Sequence, residues 1–139
     1  MPPSLSTLHV LVVEDHEFQR MMLERALRSL GVEQIRSAAN GAEAMRLLRA
    51  APAVDIVITD VVMPDVDGLE LIPKLRAVAG SASLVFLSSE DWTLAVGSEI
   101  AKGHGLAVLG ALGKPITPQK LLPLLEAHLQ LRANPGDAA

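Results

Sequence analysis

Acidic, hydroxyl and ammonium side chains follow short apolar stretches at four places in this sequence. Glu14 and Asp15 follow the first stretch, Asp60 ends the second, Ser88 ends the third, and Lys114 comes shortly after the fourth. Crowded carboxylates repel one another, and a hard divalent cation, Mg²⁺ above all, relieves that repulsion. A metal-bound carboxylate can attack phosphorus, while ammonium and hydroxyl groups can bind the oxygens of a transferred phosphoryl group. If these residues meet, they predict Mg²⁺-dependent phosphoryl chemistry with Asp60 as the nucleophile.

Each of these residues also has an ordinary interpretation. Asp60 can cap a loop, and the Glu14-Asp15 pair can cap the helix that follows it. Lys114 can be a solvated loop residue, and Ser88 can form a turn. The functional hypothesis therefore depends on whether the fold brings all of them together.

The apolar pattern predicts five strands alternating with five helices. Short β-rich runs bounded by turn residues indicate strands, and apolar residues spaced by three or four indicate helices. Asn40, with Glu43 three residues later, predicts the start of the second helix, and Gly31 the end of the first. The predicted strands are His9–Val13, Val32–Ala38, the run that ends at Asp60, Ser83–Ser88 and Leu106–Leu109. The predicted helices are Glu17–Leu30, Asn40–Ala51, Gly68–Val78, Asp91–Lys102 and a last one that begins at Pro118 behind a Thr117 cap.

This alternation predicts an α/β fold with a doubly wound, five-stranded parallel sheet in the order 2-1-3-4-5. Strands one, three, four and five are neighbours in that order, so their carboxyl ends share one edge. Ligands of open α/β sheets bind at that edge. The acids, Ser88 and Lys114 are therefore expected to converge there. We expect Met21 and Met22 to belong to the core of the first helix and its flank, rather than to bind a metal. The apolar residues that recur there at helical spacing are Phe18, Met21, Met22, Ala26, Leu27 and Leu30.

Composition narrows the classes of function. The 139 residues suit one domain with an aliphatic core, because half are hydrophobic but only two are Phe, one is Trp and none is Tyr. A net charge of −4 without a basic cluster favours neither nucleic acid nor an anionic membrane as a partner. The absence of Cys excludes disulfides and thiolate metal sites. No leader or membrane-spanning run is apparent, so we expect a cytoplasmic protein.

Taken together, the chain resembles the receiver domain of bacterial two-component response regulators, a flavodoxin-like fold. The resemblance spans Leu8 to Leu131, and we expect a receiver domain at 7–131 followed by a tail or linker at 132–139. The residues that carry it are Glu14-Asp15, Asp60 with Met63-Pro64 and Asp67-Gly68, Ser88, and Lys114-Pro115.

The resemblance implies a metal site and a phosphoacceptor. Asp60 would take a phosphoryl group from a histidine kinase or a phosphotransfer protein and form an acyl phosphate. Asp15 and Asp60 would ligate Mg²⁺ directly, together with the backbone carbonyl of Val62. Glu14 would act mainly through water.

The resemblance also implies a switch. Lys114 would pair with Asp60 or the phosphoryl group, Ser88 would move toward that group, and the Lys114–Pro115 peptide bond would be cis. The loops that carry these residues would shift the face built from the fourth helix, fifth strand and fifth helix. A downstream protein, a fused output domain or a phosphorylation-dependent homodimer would respond to that face.

Three positions bear on what the resemblance implies. Receivers often have an aromatic residue three positions before the lysine, where this chain has Ala111. Val62 and Glu90 occupy positions that tune the lifetime of the acyl phosphate in the family, and apolar Val62 predicts slow dephosphorylation. The segment 101–115 resembles receivers found ahead of cyclic-di-GMP phosphodiesterase domains, which would make the chain part of a longer regulator.

Two other classes of function stay open at this stage. One is an enzyme, a Mg²⁺-dependent aspartyl phosphatase, since Asp65-Val-Asp67-Gly68 superficially resembles the haloacid dehalogenase motif. That motif needs its first Asp directly after a strand, whereas this strand ends at Asp60. The other is a receiver-like scaffold that works without phosphorylation, against which the intact acids, Ser88 and Lys114 argue. We expect a signalling switch and not an enzyme.

Overall fold

A computed structural model describes residues 4–50, 53–60, 74, 77–78, 81–88, 107–113 and 116–133, and only the backbone of Ser88, Arg132 and Ala133. Val62, Glu90, Lys114, the Lys114–Pro115 peptide bond and nearly all of the predicted helices Gly68–Val78 and Asp91–Lys102 lie outside these residues. The strands are β1 (His9–Val13), β2 (Gln34–Ala38), β3 (Ile56–Asp60), β4 (Ser83–Ser88) and β5 (Ala107–Gly113). The helices are α1 (Glu17–Ser29), α2 (Gly41–Arg49) and α3 (Pro118–Ala133), the last being the fifth helix predicted from the sequence.

The strands form one parallel sheet in the order β2-β1-β3-β4-β5, which confirms the predicted topology. Alternate residues of β1 enter cores on opposite faces of the sheet. Leu11 and Val13 pack in a cluster with α2, whereas Val10 and Val12 pack in a cluster with α1 and α3. Because helices cover both faces, the inner strands are apolar at nearly every position.

Local capping signals act where the sequence predicts them. The side-chain oxygen of Asn40 accepts a hydrogen bond from the backbone N–H of Glu43 at 2.8 Å. Gly31 has a φ of 103°, the left-handed conformation that glycine adopts readily after a helix. The hydroxyl oxygen of Thr117 accepts a bond of 3.3 Å from the N–H of Lys120 in the first turn of α3. The ends of these helices are thus determined by short-range chemistry.

The fifth strand is longer than the predicted Leu106–Leu109. It continues to Gly113 because β4 offers backbone partners as far as Ser88, and the pairing shifts register between Leu84 and Val85. Gly110 lies against α3 so closely that a Cβ built there would be 2.8 Å from a methyl carbon of Leu124. Glycine thus allows this edge strand and α3 to approach each other.

A hydrogen bond connects the last helix to the first residue of β4, at the end of the sheet opposite the acids. His128 and Ser83 are both buried, and the Nδ1 of His128 lies 2.9 Å from the hydroxyl oxygen of Ser83 in a hydrogen bond. The helix extends to Ala133, two residues past the predicted boundary at 131, and that domain boundary stays a prediction. None of the described helices has the length and apolar character needed to cross a membrane.

Replacing Asn40 by Ala should remove the cap of α2. We expect the free energy of unfolding to fall by about 1 kcal/mol, since the N–H of Glu43 loses its acceptor. Urea denaturation followed by circular dichroism measures the change. Asn40→Ser, which keeps a side-chain acceptor, is the matched control and should stay within a few tenths of a kcal/mol of the parent. Equal stabilities of Asn40→Ala and Asn40→Ser would refute the capping role.

Candidate functional site

Parallel pairing of β1 with β3 brings Glu14 and Asp60 together. Val13 pairs with Thr59, so the next residues, Glu14 and Asp60, emerge side by side at the carboxyl edge of the sheet. Asp15 follows directly, and carboxylate oxygens of the three residues lie within 4.8 Å of one another. Glu14 is 1% exposed and Asp60 6% exposed, whereas Asp15 is more accessible. The structure thus confirms that these acids converge.

Two hydrogen bonds to the backbone of Glu14 hold the loop that carries this residue. Its N–H donates to the carbonyl of Ala38 at 3.0 Å, which extends the β1–β2 ladder by one residue. Its own carbonyl accepts a bond of 2.9 Å from a guanidinium nitrogen of Arg20 in the first turns of α1. Reasoning from the sequence did not identify Arg20, because a lone arginine six residues after the acid carries no motif. Arg20 positions the Glu14 loop from the helix side.

The donor set fits a hard divalent cation. All three side chains offer carboxylate oxygens, which Mg²⁺ and Ca²⁺ prefer, and the spread of 4.8 Å or less lets a single ion reach them together. Two of the three are buried, where the mutual repulsion of negative charges is screened less than at a surface. Glu14, Asp15 and Asp60 are therefore the side chains that would hold Mg²⁺.

The ends of the other strands reach the same edge. Asp60 pairs with Leu87, so the backbone of Ser88 lies one residue beyond Asp60 along the neighbouring strand. Ser88 in turn pairs with Gly113, the residue before Lys114. The described backbone is consistent with convergence of the predicted set, while the positions of Val62, Lys114 and the Ser88 hydroxyl stay predictions.

One face of α1 next to the acids is exposed and apolar. Phe18, Met21 and Met22 are 70%, 45% and 46% exposed, so the expectation that they join the buried stripe or its flank is wrong. The buried side of the helix carries Ala26 and Leu27, as the spacing predicts, together with Leu23, which the predicted set did not include. The sequence does hold a signal, since Leu23, Ala26 and Leu27 have an i, i+3, i+4 spacing of their own.

A cavity opens between this face of α1 and the sheet edge. Its volume is about 480 Å³, and one of its walls is Glu14. The described residues that line it are Glu14, Phe18, Gln19, Met22, Leu23, Leu87 and Ile116. An apolar space therefore adjoins the acidic cluster.

Comparison with known proteins gives the family. Residues 10–126 match the response regulator receiver domain. A CheY homolog of Campylobacter jejuni, a chemotaxis protein, is 32% identical over 133 residues, covering 94% of this chain and 99% of that protein. The cyclic di-GMP phosphodiesterase RocR of Pseudomonas aeruginosa is 36% identical over 126 residues, and this region is 89% of this chain but only 32% of RocR.

Solved structures agree with this assignment. The chemotaxis protein CheY4 of Vibrio cholerae superimposes with a TM-score of 0.74 at 30% identity, over 86% of this chain and 97% of CheY4. The family match covers most of the chain, and the fold and the clustered acids are those that the sequence predicts for such a domain. The chain therefore belongs to the response regulator receiver domain family.

Proposed function

We propose that this receiver accepts a phosphoryl group on Asp60 in a Mg²⁺-dependent reaction. The observation that carries the proposal is the buried Asp60 carboxylate at the carboxyl edge of the sheet, within 4.8 Å of Glu14 and Asp15 oxygens. An oxygen of Asp60 attacks the phosphorus of a phosphohistidine, the P–N bond breaks, and its electron pair leaves with the donor imidazole. The product is an acyl phosphate on Asp60 and a dephosphorylated donor.

The surrounding residues have separate proposed roles. Glu14, Asp15 and Asp60 would hold Mg²⁺ with the carbonyl of Val62, and the ion would supply positive charge that offsets the carboxylates and the phosphoryl oxygens. Arg20 keeps the Glu14 loop in place through its carbonyl contact.

Beyond the metal ligands, Lys114 would neutralise the phosphoryl group and Ser88 would hydrogen-bond it. Both follow strand ends that reach the same edge as Asp60.

The gathered acids also favour a phosphoacceptor over an aspartyl phosphatase. The phosphatase hypothesis requires Asp65 as its nucleophile, whereas the carboxylate that lies against Glu14 and Asp15 is that of Asp60. A receiver takes one phosphoryl group from its donor, whereas a phosphatase must bind and release many substrate molecules. We therefore propose a switch and not a turnover enzyme.

The exposed face of α1 suits a phosphodonor protein. A donor histidine must reach Asp60, so the donor has to cover the surface beside the acids. Phe18 and Met22 line the same cavity as Glu14, and Met21 is exposed on the same helix; exposed large apolar side chains commonly anchor partners. We propose that a histidine kinase or a phosphotransfer protein docks on this face in the cytoplasm.

The output is proposed from the family and from the relatives. The similarity to RocR supports a receiver that works beside an output domain, whereas the full-length match to a CheY homolog supports a separate downstream protein. In either arrangement the responding surface would be β5 and α3 with the segment before β5, either toward an output partner or in a homodimer. Ala111 is exposed in β5, so this surface has a methyl group at the site where receivers often carry an aromatic ring.

Incubation with Mg²⁺ and acetyl phosphate should add one hydroxylamine-labile phosphoryl group to the chain, read by intact mass. Asp60→Asn should abolish the gain, and so should chelation of Mg²⁺, because each removes a required part of the site. Asp55→Asn, at the residue directly before the opposite end of β3, is the matched control and should gain the group. The parent chain could instead be folded, bind Mg²⁺ and gain no phosphoryl group from either acetyl phosphate or a phosphohistidine protein. That result would refute the proposal and favour a phosphorylation-independent scaffold.

Removing the apolar side chains of α1 should impair transfer from a protein donor and spare transfer from a small one. For Phe18→Ala with Met21→Ala we expect the rate from a phosphorylated histidine phosphotransfer domain, chosen because it phosphorylates the parent, to fall about tenfold. The rate from acetyl phosphate should change less than about twofold, because that donor needs no docking surface. Leu131→Ala, which truncates an exposed apolar side chain on α3, serves as the control. Equal losses with both donors would rule out docking on α1.

Val62→Asn should shorten the life of the acyl phosphate. An amide can hydrogen-bond an attacking water, which a valine cannot do, and we expect decay to accelerate by roughly threefold to tenfold. Loss of the phosphorylated mass with time after removal of acetyl phosphate measures the rate. Val62→Ala changes the bulk without adding a polar group and should decay much more like the parent. An unchanged decay rate in Val62→Asn would contradict the prediction that Val62 slows dephosphorylation.

A further inference from the structure

The cavity between α1 and the sheet edge has the size and lining of a small-molecule site. Its volume of about 480 Å³ lies within the usual range for ligand pockets and exceeds the volume of any single inserted side chain. Ligand pockets are mostly apolar with a few polar groups that orient the ligand. Here the apolar walls are Phe18, Met22, Leu23, Leu87 and Ile116.

Charge at one wall selects the kind of ligand. Among the described lining residues, Glu14 is the one that carries a charge, and Gln19 is the other polar side chain. Glu14 is 1% exposed as a residue, and carboxylate oxygens of Asp15 and Asp60 lie within 4.8 Å of one of its own. The described charges at this wall are all carboxylates, and such a group favours a cation over an anion or a neutral group.

We propose that the cavity binds a small organic amine whose ammonium group faces Glu14 and whose apolar body packs against Phe18, Met22 and Leu23. The same carboxylate belongs to the set that would hold Mg²⁺, so the amine and the metal should weaken each other's binding, by equal factors. A bound amine would also cover part of the α1 face. Any effect of the bound amine on docking of the phosphodonor rests on the proposed function, whereas binding of the amine does not.

The first test is calorimetry with three probes on the unphosphorylated full chain without Mg²⁺. Phenylbutylamine has both the charge and the apolar body, phenylbutanol has the body alone, and butylamine has the charge with a short chain. We expect phenylbutylamine to bind about tenfold more tightly than either of the other two. Equal affinity of phenylbutanol would overturn the assigned ligand class, and no detectable binding of phenylbutylamine would overturn the site.

Two tryptophan substitutions locate the binding. Met22 lines the cavity and Met21 does not, although their exposures are 46% and 45%. Met22→Trp should fill part of the cavity and weaken phenylbutylamine about tenfold, whereas Met21→Trp should leave its affinity within about twofold of the parent. Equal behaviour of the two variants would place the amine elsewhere and contradict the proposal.

Glu14→Gln and added Mg²⁺ test the charged wall. Each should reduce phenylbutylamine affinity at least about threefold, while phenylbutanol should be insensitive to both. An amine affinity that neither change alters would refute the electrostatic attraction by Glu14. Because these readouts use no phosphodonor, they can fail while Asp60 is phosphorylated normally, or succeed when it is not, which separates this proposal from the proposed function.

Discussion

Mutual repulsion among the carboxylates at the end of two parallel strands is the constraint on which the site depends. The pairing of Val13 with Thr59 forces Glu14 and Asp60 into adjacent, buried positions, and Asp15 follows by chain connectivity. Burying like charges costs free energy that the rest of the domain must offset. Apolar packing on both faces of the sheet supplies that stabilisation, because the strands that end in the acids are themselves buried along their length.

Such a cluster responds strongly to a change in local charge. A bound cation, or the proposed phosphoryl group, would alter the balance of repulsion among these side chains, whose backbones the β1–β3 pairing holds side by side. The strand ends that carry Ser88 and precede Lys114 are hydrogen-bonded in series to the strand that carries Asp60. Asp60 is thus one strand away from the backbone of Ser88 and two strands away from Gly113.

The first helix serves two surfaces at once. Leu23, Ala26 and Leu27 fill the core beneath the sheet, while Phe18 and Met22 stay exposed beside the acids. Arg20, between these two sets, bonds the carbonyl of Glu14 and so connects the helix to the site. The helix that stabilises the acid loop is therefore also the one that offers an apolar surface and one wall of the cavity. In the outermost strand β5, Gly110 lies against Leu124 of α3, and this strand and this helix are therefore in close contact.

The sequence by itself determined the features that depend on short-range chemistry and on alternation along the chain. The bounds of β1 and β4, the Asn40 cap, the conformation at Gly31 and the sheet order all agree with the predictions. Tertiary structure decided which part of the apolar surface of α1 is buried, because Phe18, Met22 and Ala26 form one row at i, i+4 and packing covers only Ala26. It also decided the length of β5, since a strand ends where its neighbour stops offering hydrogen bonds and not where its own apolar run ends. The role of Arg20 and the cavity beside Glu14 arise from contacts between separate elements, and such contacts leave no local pattern in the sequence.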